Sequence, residues 1–214
     1  MAEDLSNYRK SYEQNSLSLE QSEENPVKQF KNWFQEVEKS KSVGEVNAMT
    51  VSTIGIDGFP KSRIVLLKQY DEKGFIFYTN YESEKGKAIE ANPHVCLSFF
   101  WPNLERQVII KGVTSKVDQR RSEEYFHSRP HGSQLGALVS PQSNVIPDRE
   151  FLEKRLEDLE GKYQDKTVPK PEYWGGFLVK PQEFEFWQGR PNRLHDRIRY
   201  TLSDGDWQRD LLAP

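Results

Sequence analysis

The side chains of this sequence that could do chemistry gather in a few short stretches. The most unusual is Trp187-Gln-Gly-Arg-Pro-Asn-Arg193-Leu-His195-Asp-Arg197. If residues 193 to 197 are extended, the two-residue period of a strand puts Arg193, His195 and Arg197 on one face and Leu194 and Asp196 on the other. Two guanidiniums and an imidazole in a row repel one another unless something anionic or electron-rich satisfies them. That points to a ligand bearing phenolate or carbonyl oxygens. The competing reading is a solvated edge strand whose charges guard against mispairing.

A second group is Tyr125, Arg129 and Ser133. Tyr125 and Arg129 stand four apart on one helix face, and Ser133 falls at the start of the next helix, where free backbone N–H groups favour an anion. One arginine, two hydroxyls and a helix start describe a phosphate pocket. Taken singly, Tyr125 could equally pack and Arg129 cap the helix C-terminus. The third group is Arg63-Ile64-Val65-Leu66-Leu67-Lys68, two cations bracketing an apolar run. A spacing of five puts them on opposite faces of a regular strand, so a shared ligand requires a bulge or twist. Lys85 opens a short helix, Gln107 opens a strand, and Gln142-Ser143 lies in a loop. None of these is distinctive alone.

The elements that must position these groups follow from pattern. Residues 1–25 are rich in Ser, Glu, Gln and Asn and poor in large aliphatics, a composition that predicts a mobile tail; Arg9, Lys10 and Tyr12 are its basic and aromatic cluster. Asn25 can cap and Pro26 can open a helix whose apolar residues Phe30, Trp33, Phe34 and Val37 recur at helical spacing to about Ser40. Strands are expected at 48–54 and 61–69 across Asp57-Gly58, then at 75–79, 94–101 and 106–117. Helices are expected at 83–91, from Asp118 to about Ser128, at 133–139, and from Pro147 to about Tyr163 with Phe151, Leu152, Leu156 and Leu159 on its buried side. The chain finishes in strands near 176–180, 183–188, 194–202 and 207–211. Strands joined by tight turns outnumber helices, so the fold class is mainly β with peripheral helices. The sheet should be antiparallel and close into a small barrel, with residues 26–214 as one domain.

Composition excludes several function classes. The 214 residues hold 30 basic and 33 acidic side chains. Residues 1–46 carry six basic and nine acidic ones, leaving 24 of each sign in the body, so no overall positive field exists to hold nucleic acid or an anionic membrane. The longest aliphatic run, Ile64 to Leu67, is far short of the ~18 residues of a membrane helix. The first residues lack a secretory pattern and the lone Cys96 cannot form an internal disulfide, so a reducing cytoplasm is expected. His127 and His131 have helical metal-ligand spacing, but Pro130 intervenes and no third ligand is near. There is no strand followed by GxGxxG, no Walker loop and no GxSxG.

In combination, the segments RIVLLK (63–68), YDEKGFIFYTN (70–80), LERQV (104–108), YFHSRPHGSQLGALVS (125–140), WGGF (174–177), WQGRPNRLHDR (187–197) and the terminal LAP resemble the pyridoxine (pyridoxamine) 5′-phosphate oxidases, FMN enzymes of vitamin B6 metabolism. The resemblance covers about residues 26–214. It implies a split barrel acting as a homodimer with FMN between subunits. Residue by residue, it implies FMN contacts at Arg63, Ile64, Val65, Leu66, Leu67, Lys68, Tyr78, Thr79, Lys85, Gln107, Gln142, Ser143, Trp187 and Arg197. For the substrate phosphate it implies Lys68, Tyr125, Arg129 and Ser133. Arg193 and His195 are implied as catalytic groups over the substrate ring, and Arg9 and Tyr12 join the substrate-binding candidates. Where many members carry an arginine just before the phosphate-loop lysine, this chain has Glu84, a departure that bears on one phosphate contact and on flavin affinity.

The implied reaction oxidises pyridoxine 5′-phosphate or pyridoxamine 5′-phosphate with dioxygen, giving pyridoxal 5′-phosphate and hydrogen peroxide, with ammonia from the amine. Two rivals are a split-barrel flavoprotein acting on another substrate and a non-catalytic flavin or pyridoxal-phosphate carrier. Neither explains why Tyr125, Arg129, Ser133, Arg193 and His195 occur together.

Overall fold

The structure, a computed structural model, describes residues 2–214. In order along the chain, it consists of helix α1 (Pro26–Ser40), strands β1 (Ala48–Ile54), β2 (Pro60–Leu66), β3 (Gln69–Asp71) and β4 (Gly74–Asn80), helix α2 (Glu84–Ala91), strands β5 (His94–Trp101) and β6 (Arg106–Lys116), helices α3 (Gln119–Ser128), α4 (His131–Val139) and α5 (Glu150–Tyr163), and strands β7 (Trp174–Gln188), β8 (Asp196–Ser203) and β9 (Asp206–Leu211). The sheet runs β2-β1-β5-β6-β7-β4-β3, and β7 also pairs with β8, which pairs with β9. The pairings of β3 with β4 and of β8 with β9 are antiparallel, as the short turns that join them require, and those of β4 with β7 and of β7 with β8 are antiparallel too.

The described residues divide into two compact units, 2–50 with Cys96–Lys111 and Pro181–Pro214, and Val51–Val95 with Gly112–Lys180. In the first, Asn25 accepts the Val27 and Lys28 amides and starts α1, whose Phe30, Trp33 and Val37 are buried. Phe30 packs on Phe99 at 5.0 Å and Trp33 on Phe186 at 5.3 Å, and this aromatic packing, rather than helix propensity, fixes α1. In the second unit, Phe126 of α3, Leu135 of α4, Val168 and Trp174 of β7 form one buried core cluster. Here α5 differs from expectation: none of its residues is fully buried, and Leu156 and Leu159 only lean on that core.

Residues 2–25 hold no helix or strand, but polar contacts tie part of this stretch to its own unit. The carboxylate of buried Glu105 accepts the amides of Glu13 (2.8 Å) and Gln14 (3.1 Å), and Asp196 accepts that of Leu17 (2.9 Å). Arg209 donates to the carbonyls of Leu19 and Ser22, and the Tyr200 hydroxyl to that of Glu23. Composition, which registers only the scarcity of apolar side chains, carries no trace of these backbone anchors.

Candidate active site

The second unit encloses a cavity of about 750 Å³. One wall comes from β2, which ends the sheet path, so the outer backbone groups of Arg63 to Leu66 have no strand partner there. The expected conflict between Arg63 and Lys68 is resolved by a break rather than a bulge. The strand stops at Leu66, the Lys68 amide bonds to Ile76 O at 2.8 Å, and both cations line the cavity. Leu67 turns inward and is buried.

The floor is cationic. Lys85, in the first turn of α2, is 8% exposed and among the described residues its Nζ has only neutral partners: Thr79 Oγ1 at 3.2 Å, Ser83 Oγ at 3.5 Å and Gln142 Oε1 at 3.5 Å. Burial pulls its pKa below the usual lysine value, Arg63 adds to the shift, and Glu84 opposes it. Glu84 itself is engaged by Lys61 Nζ at 2.6 and 2.7 Å. Arg63 Nη1 is held by Thr53 Oγ1 and Lys61 O, both at 2.7 Å.

At another wall, Tyr125 projects from α3, and Arg129 follows that helix as its extended C-cap. Ser133 lies in the first turn of α4. Tyr125 stacks on Tyr78 at 4.0 Å, and Tyr78 in turn on Trp174 at 5.5 Å. Two buried atoms here have no hydrogen-bond partner among the described residues, Tyr78 Oη and Arg129 Nη1. Burial is the main cause that lowers the Arg129 pKa and raises that of Tyr78. A cavity with a half-buried guanidinium, a buried ammonium and two orphaned donors fits a ligand rich in anionic oxygens, as a phosphorylated flavin and a phosphorylated substrate both are.

Ser143 has φ +72° in the loop and does not line the cavity, although its neighbour Gln142 does. The remaining expected residues belong to the first unit. There the premise of an extended 193–197 fails. Pro191–Arg193 is a short 3-10 turn, Asn192 and Arg193 have φ +59° and +62°, and β8 begins only at Asp196. Arg193 therefore shares no strand face with His195 and Arg197. The edge-strand alternative fails as well, because β8 is paired on both sides.

The His195 ring lies 4.6 Å from Trp187, and its Nδ1 accepts the Arg190 amide at 3.1 Å. In the neutral ring the proton is then on Nε2. Burial first, then the Arg193 charge, lower its pKa. Arg197 is bound to Glu185 at 2.9 Å and to Ala213 O at 2.7 Å, which anchors the terminal segment. Gln107 sits half-buried on β6. Tyr12 rests its ring 5.7 Å from Trp187 and 5.8 Å from His195, and a Cβ at Gly189 would come within 2.8 Å of that ring. Arg9 is exposed and its Nε donates to Ser6 O at 3.0 Å. Trp174 also lines the cavity, and its place in the WGGF segment is the signal for it in the sequence.

An antiparallel sheet beside a cation-lined cavity is the architecture of the split-barrel proteins. The fold agrees with the structure of a pyridoxamine 5′-phosphate oxidase-related, FMN binding protein from Nostoc punctiforme, with a TM-score of 0.70 at 15% identity over 89% of this chain and 98% of that one. It also matches PhzG from Burkholderia lata in complex with tetrahydrophenazine-1-carboxylic acid, with a TM-score of 0.85 at 25% identity over 91% and 95%.

Residues 35–163 match the pyridoxamine 5′-phosphate oxidase family, and residues 174–214 match the pyridoxine 5′-phosphate oxidase C-terminal dimerisation region. Relatives named pyridoxine/pyridoxamine 5′-phosphate oxidase include one from Flavobacterium johnsoniae, 64% identical over 98% of this chain and 99% of its own length. Another, from Christiangramia forsetii, is 56% identical over the whole of both. The chain belongs to the pyridoxine/pyridoxamine 5′-phosphate oxidase family. Among the described residues no helix is long and apolar enough to cross a membrane, and no cluster of His, Cys, Asp and Glu is arranged to hold a metal ion.

Proposed function

We propose that this protein binds FMN and oxidises pyridoxine 5′-phosphate and pyridoxamine 5′-phosphate with dioxygen, yielding pyridoxal 5′-phosphate and hydrogen peroxide, with ammonia from the amine. The observation that carries this reading is the cavity's pairing of cations that lack carboxylate partners, Lys85 and Arg129, with the orphaned Tyr78 hydroxyl. FMN, when bound, supplies the hydride acceptor and passes the electrons to dioxygen. The protein's share is placement.

Lys85, Arg63, Thr79, Gln142 and the outer edge of β2 would hold the flavin phosphate and ring. Lys68, Tyr125, Arg129 and Ser133 would grip the substrate phosphate, and that grip fixes one end of a small molecule. Neutral His195, with its proton on Nε2, can donate to the substrate's ring oxygen, and Arg193 can lie against the ring and stabilise charge as hydride leaves. Gln107, Trp187 and Arg197, with Leu67 and Ser143, complete the proposed flavin set in a homodimer with FMN between its subunits. The proposed location is the cytoplasm.

Mixing purified protein with FMN and pyridoxamine 5′-phosphate tests the proposal. Stoichiometric peroxide and pyridoxal 5′-phosphate are expected. A protein that binds FMN and leaves the amine untouched overturns it in favour of a carrier.

A further inference from the structure

Arg129 has no carboxylate to hold it. Among the described residues no ion pair involves it, and its side chain is placed instead by aromatic faces. The guanidinium carbon lies 4.7 Å from the Trp174 ring centroid and 5.6 Å from that of Phe126, while Nη1 is buried without a partner. We propose that Trp174 is a positioning residue for phosphate binding, acting through Arg129: its indole holds the guanidinium against the cavity wall without neutralising it. This rests on the reading that Arg129 grips the substrate phosphate.

The physical case is a comparison of supports. A carboxylate would fix the guanidinium but occupy its N–H fork, and an arriving phosphate would have to displace it. A π face attracts the same cation from above and leaves the in-plane N–H groups free to form two parallel bonds to phosphate oxygens. Indole is the strongest such face among the side chains.

The indole is itself immobilised. Trp174 is 6% exposed, meets Phe126 edge-on at 5.2 Å, and lies nearly parallel to Tyr78 (13°) and Tyr125 (11°). Its carbonyl accepts from Lys170 Nζ at 3.1 Å. The next residues explain the local sequence. A Cβ at Gly176 would come within 2.9 Å of the Tyr78 ring, so a glycine there lets that ring lie along the indole, while one at Gly175 would collide with the Tyr81 side chain.

The test is a double-mutant cycle on the flavin-loaded enzyme, reading KM for pyridoxamine 5′-phosphate, kcat and FMN affinity. W174L should raise KM about 3- to 30-fold, the range of a partly desolvated cation–π contact, with W174F restoring most of it and FMN affinity unchanged. In an R129A background W174L should have no further effect on KM, because the residue it acts through is gone. Multiplicative effects of the two substitutions would overturn the proposal and leave the phosphate reading intact. An R129A enzyme with normal KM would overturn both.

Should W174L fail to fold, tryptophan fluorination weakens the ring's negative face while keeping its shape. Equilibrium binding of pyridoxal 5′-phosphate should then weaken stepwise with fluorination in the native sequence but not in W174F. Equal binding throughout would overturn the proposal.

Discussion

Lys85 donates its ammonium to the Thr79 hydroxyl at 3.2 Å and, among the described residues, to no carboxylate at all. A buried cation with only neutral dipoles around it costs stability until an anion arrives, and its lowered pKa records that cost. The unfolded chain holds this proton more tightly than the folded one. The penalty is therefore fully present at neutral pH and is relieved only as pH rises toward the ordinary lysine value of about 10.4.

Lys85→Met should act with opposite signs on two measurements. The apoprotein should melt higher, by roughly 2 to 4 °C if about 1 kcal/mol of desolvation is removed. FMN affinity should fall by on the order of 10- to 100-fold, the loss of a charge-assisted phosphate bond. Calorimetry and flavin fluorescence titration check the two separately. A variant that melts lower and binds FMN normally would make Lys85 a structural lysine.

Glu105 has φ +56° and is 2% exposed, yet its carboxylate serves the amides of Glu13 and Gln14 and pairs with Lys10 at 3.3 Å. These bonds hold the segment that carries Tyr12 against Trp187 and His195. Glu105→Ala should release that segment. Hydrogen exchange at the Glu13 and Gln14 amides should accelerate by about 10- to 100-fold, as expected for losing roughly 1 to 3 kcal/mol of local protection. Unchanged exchange at both amides would mean the anchor lies elsewhere.

His195 carries a pH prediction. Its pKa is lowered by burial and by Arg193, so the ring is neutral down to pH values below the ordinary histidine figure of about 6.5. Protonation would turn Nδ1 from acceptor to donor and break its bond to the Arg190 amide. The unfolded chain takes this proton first. Stability from His195 is thus complete above about 6.5 and is lost as pH falls. The acid limb of kcat/KM should lie below 6.5 and vanish in His195→Gln. A limb at or above 6.5 that survives the substitution would assign it to another group.

The parts of the fold set by local chemistry were legible in sequence, and those set by non-local polar contacts were not. Asn25-Pro26 marked the start of α1 and Asp57-Gly58 the first hairpin, because capping and positive-φ turns depend on residues close in sequence. In the site, Arg63, Lys68, Lys85, Tyr125, Arg129 and Ser133 do meet in one cavity. The period-two reading misplaced Arg193 because Asn192 and Arg193 both adopt left-handed backbone, which sequence favours only weakly outside glycine. The anchoring of residues 13 to 23 depends on partners some 90 to 190 positions away, and Trp174 matters through ring geometry that no spacing announces.

The left-handed backbone of Arg193, in an exposed turn, lifts this residue out of the strand that follows. A left-handed non-glycine residue costs on the order of 1 kcal/mol, so the turn is held by its surroundings, here Pro191 and the Leu194 amide bonded to Pro191 O at 3.2 Å. Such a turn sets where the guanidinium can reach independently of β8. Arg193→Lys keeps the charge and the backbone but loses the planar fork that could lie flat on a pyridine ring. Hydride transfer needs reacting atoms within about 3 to 3.5 Å, so a looser ring should slow the chemical step rather than binding of the flavin. Anaerobic stopped-flow should show flavin reduction slowed by about 10-fold or more with FMN content unchanged. Normal reduction kinetics would make Arg193 a solvated turn residue, and the ring would have to be positioned by His195 and its neighbours alone.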